Sequence, residues 1–249
     1  MWGLTRARHP GRASLHLRYM KGFFITGTDT GIGKTVLAGW LLAHMRGQGI
    51  DVVPMKPVQT GCEIRRGRIV APDLEFCLRA AKLDPNEEER SLMCPYRYKP
   101  ACSPHLAAGI EGRPIRIPRI MQAFQRLAER HDAVIVEGAG GILVPLNRRS
   151  TLLDLIQKIR LPVLIATRPG LGTLNHTFLT INELRRAGCA MAGIVIVESG
   201  PPARDAIERD NRKTLARTGI PVLGRLKYRS GISPEHVRCL DADNLARNI

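Results

Sequence analysis

Along the chain, short unbroken apolar runs alternate with stretches in which apolar residues recur three or four positions apart. The unbroken runs predict strands over residues 23–26, 52–55, 133–136, 163–166, 193–197 and, as the last of the series, 222–226. The spaced stretches predict helices over 35–46, 73–81, 118–130, 152–158, 174–187 and 204–217. Leu37, Leu41 and Met45 share one face of the first helix, and Ile120, Phe124 and Leu127 share one face of the third. Pro57 stops the second strand, and residues 84–90 and 110–119 read as polar or proline-bearing connectors. The strands do not alternate apolar with polar residues, so both their faces are expected to be buried, as in a parallel sheet between helical layers. The expected fold class is therefore α/β: a single doubly wound, mostly parallel sheet with helices on both faces. Ligands of such sheets sit beyond the carboxyl ends of the strands, so residues that directly follow a strand are the ones to weigh.

Four segments meet that condition. Residues 27–35 read Gly-Thr-Asp-Thr-Gly-Ile-Gly-Lys-Thr, between the first strand and the first helix. Such a loop turns backbone N–H groups toward phosphate oxygens; Lys34 adds a point charge, and the Thr35 hydroxyl can bind Mg²⁺. The strict P-loop spacing is not met, because Thr28 stands where the first glycine belongs and Gly27 lies one residue earlier. Lys56-Pro57-Val58-Gln59-Thr60-Gly61 ends the second strand; Lys56 is compatible with a ligand-facing role and equally with a surface lysine before a turn. Glu137-Gly138-Ala139-Gly140-Gly141 ends the third, where a Mg²⁺-organising carboxylate belongs in a P-loop protein, although Glu137 could merely cap a turn. Asp73 is also read as an ordinary helix N-cap. Arg168-Pro169-Gly170-Leu171-Gly172-Thr173-Leu174-Asn175-His176 follows the fourth strand, a further potential anion site, with His176 more in keeping with a structural hydrogen bond.

Composition narrows the partners. The 249 residues carry 38 basic and 22 acidic side chains, a net charge of +16, compatible with a nucleotide or another polyanion. Aromatic residues make up only 4%, too few for a ladder of stacking platforms, so nucleic acid is not the expected partner. No apolar run approaches the ~20 residues that a spanning helix needs, so no membrane association is expected. The six cysteines form no C-x-x-C pair, which fits free thiols in a reducing cytoplasm. No His–Cys metal cage or Ser-His-Asp set can be assembled. Residues 1–19 hold four Arg and no acid, and Met20 directly precedes the first strand. Residues 1–19 are accordingly expected to be a basic extension, with Met20 the true start, and 20–249 a single domain; intact-mass measurement on native protein tests this.

Taken together, in this order and spacing, the four segments resemble dethiobiotin synthetase, a P-loop NTPase-like family. The likeness extends through Ser103-Pro104-His105 and Glu111-Gly112-Arg113-Pro114-Ile115, from about residue 21 to 226. It implies a cytoplasmic ligase of biotin synthesis that closes a cyclic urea on 7,8-diaminononanoate with CO₂ and ATP. One amine forms a carbamate, whose oxygen attacks the γ-phosphate; the second amine then displaces phosphate from the carbamic–phosphoric anhydride. The resemblance implies that Lys34 holds the β- and γ-phosphates and that Lys56 meets the carbamate and the transferring phosphoryl group. Thr35, Asp73 and Glu137 would organise Mg²⁺, and Thr60 would contact the diamine. Gly31, Ile32, Gly33, Val36, Gly138, Ala139, Gly140, Val197 and Glu198 complete the implied nucleotide site, and a homodimer is implied with residues 170–176 near the partner. Val197 stands where the family commonly has an Asn for the adenine, and Lys227-Tyr228 replaces a proline-containing pair, so base discrimination is expected to be weak or rerouted through Glu198 or backbone groups. The related partition and septum-positioning ATPases place a lysine five positions before the P-loop lysine, where this chain has Asp29.

Overall fold

Strand β1 (Gly22–Gly27) is buried at every position because helices cover both faces of the sheet it centres. The computed structural model describes residues 22–198, 200, 206–227, 230–240 and 242–249. Residues 1–21, and with them the expected extension and the Met20 start, lie outside the described residues. The chain continues through α1 (Lys34–Gly47), β2 (Val52–Met55), β3 (Val58–Gln59), β4 (Glu63–Arg65), β5 (Arg68–Val70), α2 (Pro72–Ala81) and α3 (Glu87–Met93). It then forms β6 (Tyr96–Arg97), α4 (Pro104–Ile110), α5 (Ile117–Arg130), β7 (Ala133–Glu137), α6 (Leu152–Ile159), β8 (Val163–Thr167) and α7 (Thr173–Arg186). Last come β9 (Met191–Val197), α8 (Ala206–Ala216), β10 (Val222–Leu226), a 3₁₀ turn (Pro234–Cys239), β11 (Ala242–Asp243) and α9 (Leu245–Asn248).

The main sheet has the order β11-β10-β9-β8-β1-β7-β2. Its strands pair in parallel except for β11, which runs antiparallel to β10. Successive residues of a strand face opposite sides, and here each side has its own core. Phe24, Val53, Val134 and Val136 pack with α5 and α6, whereas Phe23, Ile25, Val52 and Ile135 pack with α1 and the C-terminal segment. The predicted stripes are buried as expected: Leu37, Leu41 and Met45 on α1, and Ile120, Phe124 and Leu127 on α5. Chain order reverses at β1, which lies between β7 and β8, so its carboxyl end opens the crevice where such sheets take ligands.

Several expectations are corrected. Residues 84–90 are not all connector: α3 starts at Glu87, because the Asn86 side chain accepts from the Glu89 amide and three glutamates complement the helix dipole. Helix α4 was not expected; Pro104 at its first turn fixes the backbone for helix entry. The connector 110–119 yields at its end to α5, which begins at Ile117. The strand 222–226 is not the last, since β11 follows it. Most predicted elements extend one or two residues further than expected, and of the predicted helix 204–217 the described part is Ala206–Ala216.

Candidate active site

The loop leaving β1 and entering α1 is shaped by two glycines. Gly33 has φ +86°, and a Cβ there would fall 2.5 Å from Cγ1 of Val197, so no side chain fits. At Gly27 a Cβ would come within 2.9 Å of the Asp29 carbonyl oxygen and 3.0 Å of Lys34 Nζ. The extra residue relative to the strict P-loop spacing is accommodated by Thr28, whose amide donates to Ala166 of β8 at 3.1 Å. Lys34, buried in the loop, donates from Nζ to the Asp29 carbonyl oxygen at 2.9 Å. Burial lowers its pKa from the ordinary lysine value, although Glu137, Asp73 and Asp29 pull the other way. The Asp29 carboxylate meets Arg168 from the end of β8 at 3.0 Å.

Strands β2 and β7 are neighbours, so the residues that end them arrive side by side. Lys56 Nζ lies 2.7 Å from Asp73 Oδ2 and 2.7 Å from Glu137 Oε1. Thr35 Oγ1 donates to that same Glu137 oxygen at 2.9 Å. Burial works against the charge on Lys56, but the two carboxylates outweigh it and hold its pKa well above the ordinary lysine value. Burial would also push Asp73 up, yet the Lys56 ammonium holds it below the usual carboxylate range. Glu137 is raised, because complete burial and the nearby Asp73 charge exceed the pull of Lys56. The result is an ion triad in which Lys56 and Glu137 are buried and Asp73 is partly exposed, and in which the two carboxylates favour the charged lysine.

A cleft of about 680 Å³ opens over this triad. Among its walls are Gly31, Gly33, Lys34, Thr35, Lys56, Thr60, Asp73, Ala139 and Gly140, all singled out from the sequence. Glu137 lies beneath it, and Gly138 is tied to β1 through its amide on Ile25. Ile32 and Val36 pack into the core under α1. Val197 and Glu198 do not line this cleft. Val197 is buried under Gly33, and the Glu198 carboxylate is buried against Arg225, which also pairs with Glu208 at 2.9 Å. His176 is exposed on the first turns of α7. Its turn is held instead by Asn211 of α8, which donates to the Pro169 and Gly170 carbonyls at 2.9 and 3.2 Å.

The sequence left out Gln59, Ala101, Cys102 and Val144, which also line the cleft. The Gln59 amide hydrogen-bonds Asp73 and donates to the Thr60 carbonyl at 3.1 Å. Its position inside the Lys56–Gly61 segment was the available signal. A larger cleft, about 1200 Å³, lies between the β4–β5 hairpin and α3. Arg65, Arg68, Arg90 and Arg97 line it, together with Arg113 from the Glu111–Ile115 segment, and none of the residues implied for the nucleotide, metal or diamine is among its walls.

The donor set suits a hard cation. Thr35 offers a hydroxyl whose proton is already committed to Glu137, leaving its lone pairs for a metal, and Asp73 and Glu137 offer carboxylate oxygens. Among the described residues no group of three His, Cys, Asp or Glu side chains converges, as is usual where Mg²⁺ takes much of its coordination from nucleotide phosphates and water.

Comparison with known proteins adds the following. Residues 21–236 match the family described as an AAA domain. The chain is 44% identical over 182 residues to the ATP-dependent dethiobiotin synthetase BioD of Anaeromyxobacter dehalogenans (strain 2CP-1 / ATCC BAA-258), a match covering 73% of this chain and 78% of that protein. It is 37% identical over 220 residues to the protein of the same name from Anoxybacillus flavithermus, covering 88% of this chain and 96% of that one. Of the solved structures, the septum site-determining protein MinD complexed with Mg-ADP from Pyrococcus horikoshii OT3 superposes with a TM-score of 0.57 at 15% identity, each chain covered to 92%. At that identity the likeness is one of fold.

Proposed function

The chain belongs to the ATP-dependent dethiobiotin synthetase family, and from that premise we propose that its cleft closes the cyclic urea of dethiobiotin on 7,8-diaminononanoate with CO₂ and ATP. One amine of the diamine takes up CO₂ as a carbamate. The carbamate oxygen attacks the γ-phosphorus, ADP leaves, and the second amine displaces phosphate from the mixed anhydride to close the ring. The chemistry sets one anion against another, so the protein contributes chiefly position and neutralising charge.

The observation that carries this reading is the convergence of Lys34, Thr35 and Lys56 with Asp73 and Glu137 at one cleft, on the edge where β1, β2 and β7 end. Lys34 leaves the Asp29 carbonyl for the β- and γ-phosphates, and the backbone of residues 27–33 receives phosphate oxygens. Lys56 faces the carbamate and the phosphoryl group in flight. Thr60, on the cleft wall beside Gln59, contacts the diamine. Thr35, Asp73 and Glu137 would hold Mg²⁺, which supplies charge neutralisation along the polyphosphate. The family's homodimer is part of the proposal; it is supported by the turn that Asn211 braces, where Leu171 stands 86% exposed, an apolar side chain with reason to be covered.

The test is phosphate release by purified protein with Mg-ATP and bicarbonate, with and without 7,8-diaminononanoate. Release that requires the diamine and accompanies dethiobiotin formation is expected. Slow release indifferent to the diamine, from folded protein that binds ATP, would overturn it.

A further inference from the structure

The three side chains that suit a divalent cation already share a cation of the protein's own. Lys56 Nζ touches Asp73 Oδ2 and Glu137 Oε1 at 2.7 Å each, and Glu137 Oε1 is also the oxygen to which Thr35 donates. Lys56 is 5% exposed, so its ammonium relies on these two carboxylates for its counter-charge. The buried Glu137, beside the partly exposed Asp73, needs a counter-charge, and a buried ammonium needs anions. A divalent ion on the same oxygens changes that balance: three positive charges would then crowd two carboxylates at short range, and the singly charged, flexibly tethered one is the easiest to expel.

We propose that Lys56 is the exchangeable counter-ion of the Asp73–Glu137 pair, displaced from those oxygens by the divalent cation that arrives with the nucleotide. Its ammonium then turns into the cleft that Lys56 itself lines, toward the anions assembled there. The inference rests on the functional reading above for what those anions are, but the exchange itself does not depend on the diamine. It gives the site an order of events. Until the metal is seated, the lysine is spent on neutralising carboxylates; once it is seated, the same charge is released for the reacting groups. Thr35 fits both states, since its proton can stay on Glu137 while its lone pairs take the metal.

Mn²⁺ binding to the full chain without nucleotide, read by electron paramagnetic resonance of the free ion, tests the exchange directly. Lys56→Met removes the competitor, so its Mn²⁺ affinity should exceed that of the wild type by at least tenfold. Its melting temperature should fall in chelator and recover with Mn²⁺, which the wild type should show only weakly. Lys56→Arg keeps the charge and grips carboxylates in a bidentate manner, so it should bind Mn²⁺ more weakly than the wild type. Equal Mn²⁺ affinity in the wild type and Lys56→Met overturns the proposal. If Lys56→Met does not fold even with Mn²⁺, an unchanged affinity in Lys56→Arg overturns it instead. Diamine-dependent phosphate release by the wild type is scored separately, so loss of the functional reading and loss of the exchange are distinguishable.

Discussion

The two lysines of the cleft have opposite electrostatic settings, and their variants should differ accordingly. Lys56 is held protonated by Asp73 and Glu137, whereas burial makes Lys34 the easier of the two to deprotonate. ATP affinity should therefore decline as pH rises toward the ordinary lysine value of 10.5, with Lys34 as the group responsible. Equilibrium nucleotide binding across alkaline pH checks this: Lys34→Arg, which stays charged, should remove the decline, and a decline that persists in that variant contradicts it. Lys56→Ala should lower kcat by about 10²–10³, the loss typical of a donor that acts on transition-state charge, and near-normal turnover would remove Lys56 from the mechanism. The Val197 side chain packs beneath Gly33 and has no hydrogen-bonding atom to offer a base edge. GTP or CTP should accordingly be used within about tenfold of ATP, about 1.4 kcal/mol, judged by kcat/KM; a preference for ATP above a hundredfold would defeat that expectation. Lys34, Thr35 and Glu137 could be singled out from the residues themselves because each stands at a strand end or a helix start, whereas the reading of Lys56 and Asp73 came from the family resemblance. The Arg168–Asp29 pair was not, since those residues are 139 positions apart and only the β1–β8 pairing brings them together.

At the level of elements, legibility follows burial. Helices α1 and α5 could be read because a continuous stripe of each faces the core. Helix α3 buries only Met93, and β4 is exposed at every position, so neither leaves a periodic trace in the sequence. What sequence could not supply was the strand order. Lys56 and Glu137 meet because β2 lies beside β7, a fact of pairing rather than of pattern. The loop between β1 and α1 makes its own prediction. Gly33→Ala must carry a side chain at φ +86°, which costs about 1–2 kcal/mol, and must also push Val197 away. ATP affinity should fall at least tenfold while the circular dichroism of the folded state is retained. An alanine variant with unchanged nucleotide affinity would show that the loop is less tightly specified than its packing indicates.

For the whole molecule, the sheet places its chemistry at the centre and leaves two flanks to be managed. At one flank β2 contains Pro54, which has no N–H to offer a newcomer. At the other, the two residues of β11 lie antiparallel across Arg225 and Leu226 of β10, and the Asn248 side chain of α9 donates to the Leu223 carbonyl at 2.7 Å. A chain ending at Leu240 should therefore expose β10 as a ready template. It should form higher-order assemblies by light scattering at concentrations where the full chain does not, and a monodisperse truncation would contradict this. An open sheet of seven strands would otherwise invite end-to-end growth from one molecule to the next. The proline and the short returning strand thus act as stoppers at the two flanks, with β11 on the edge of the sheet opposite the strands that carry the cleft.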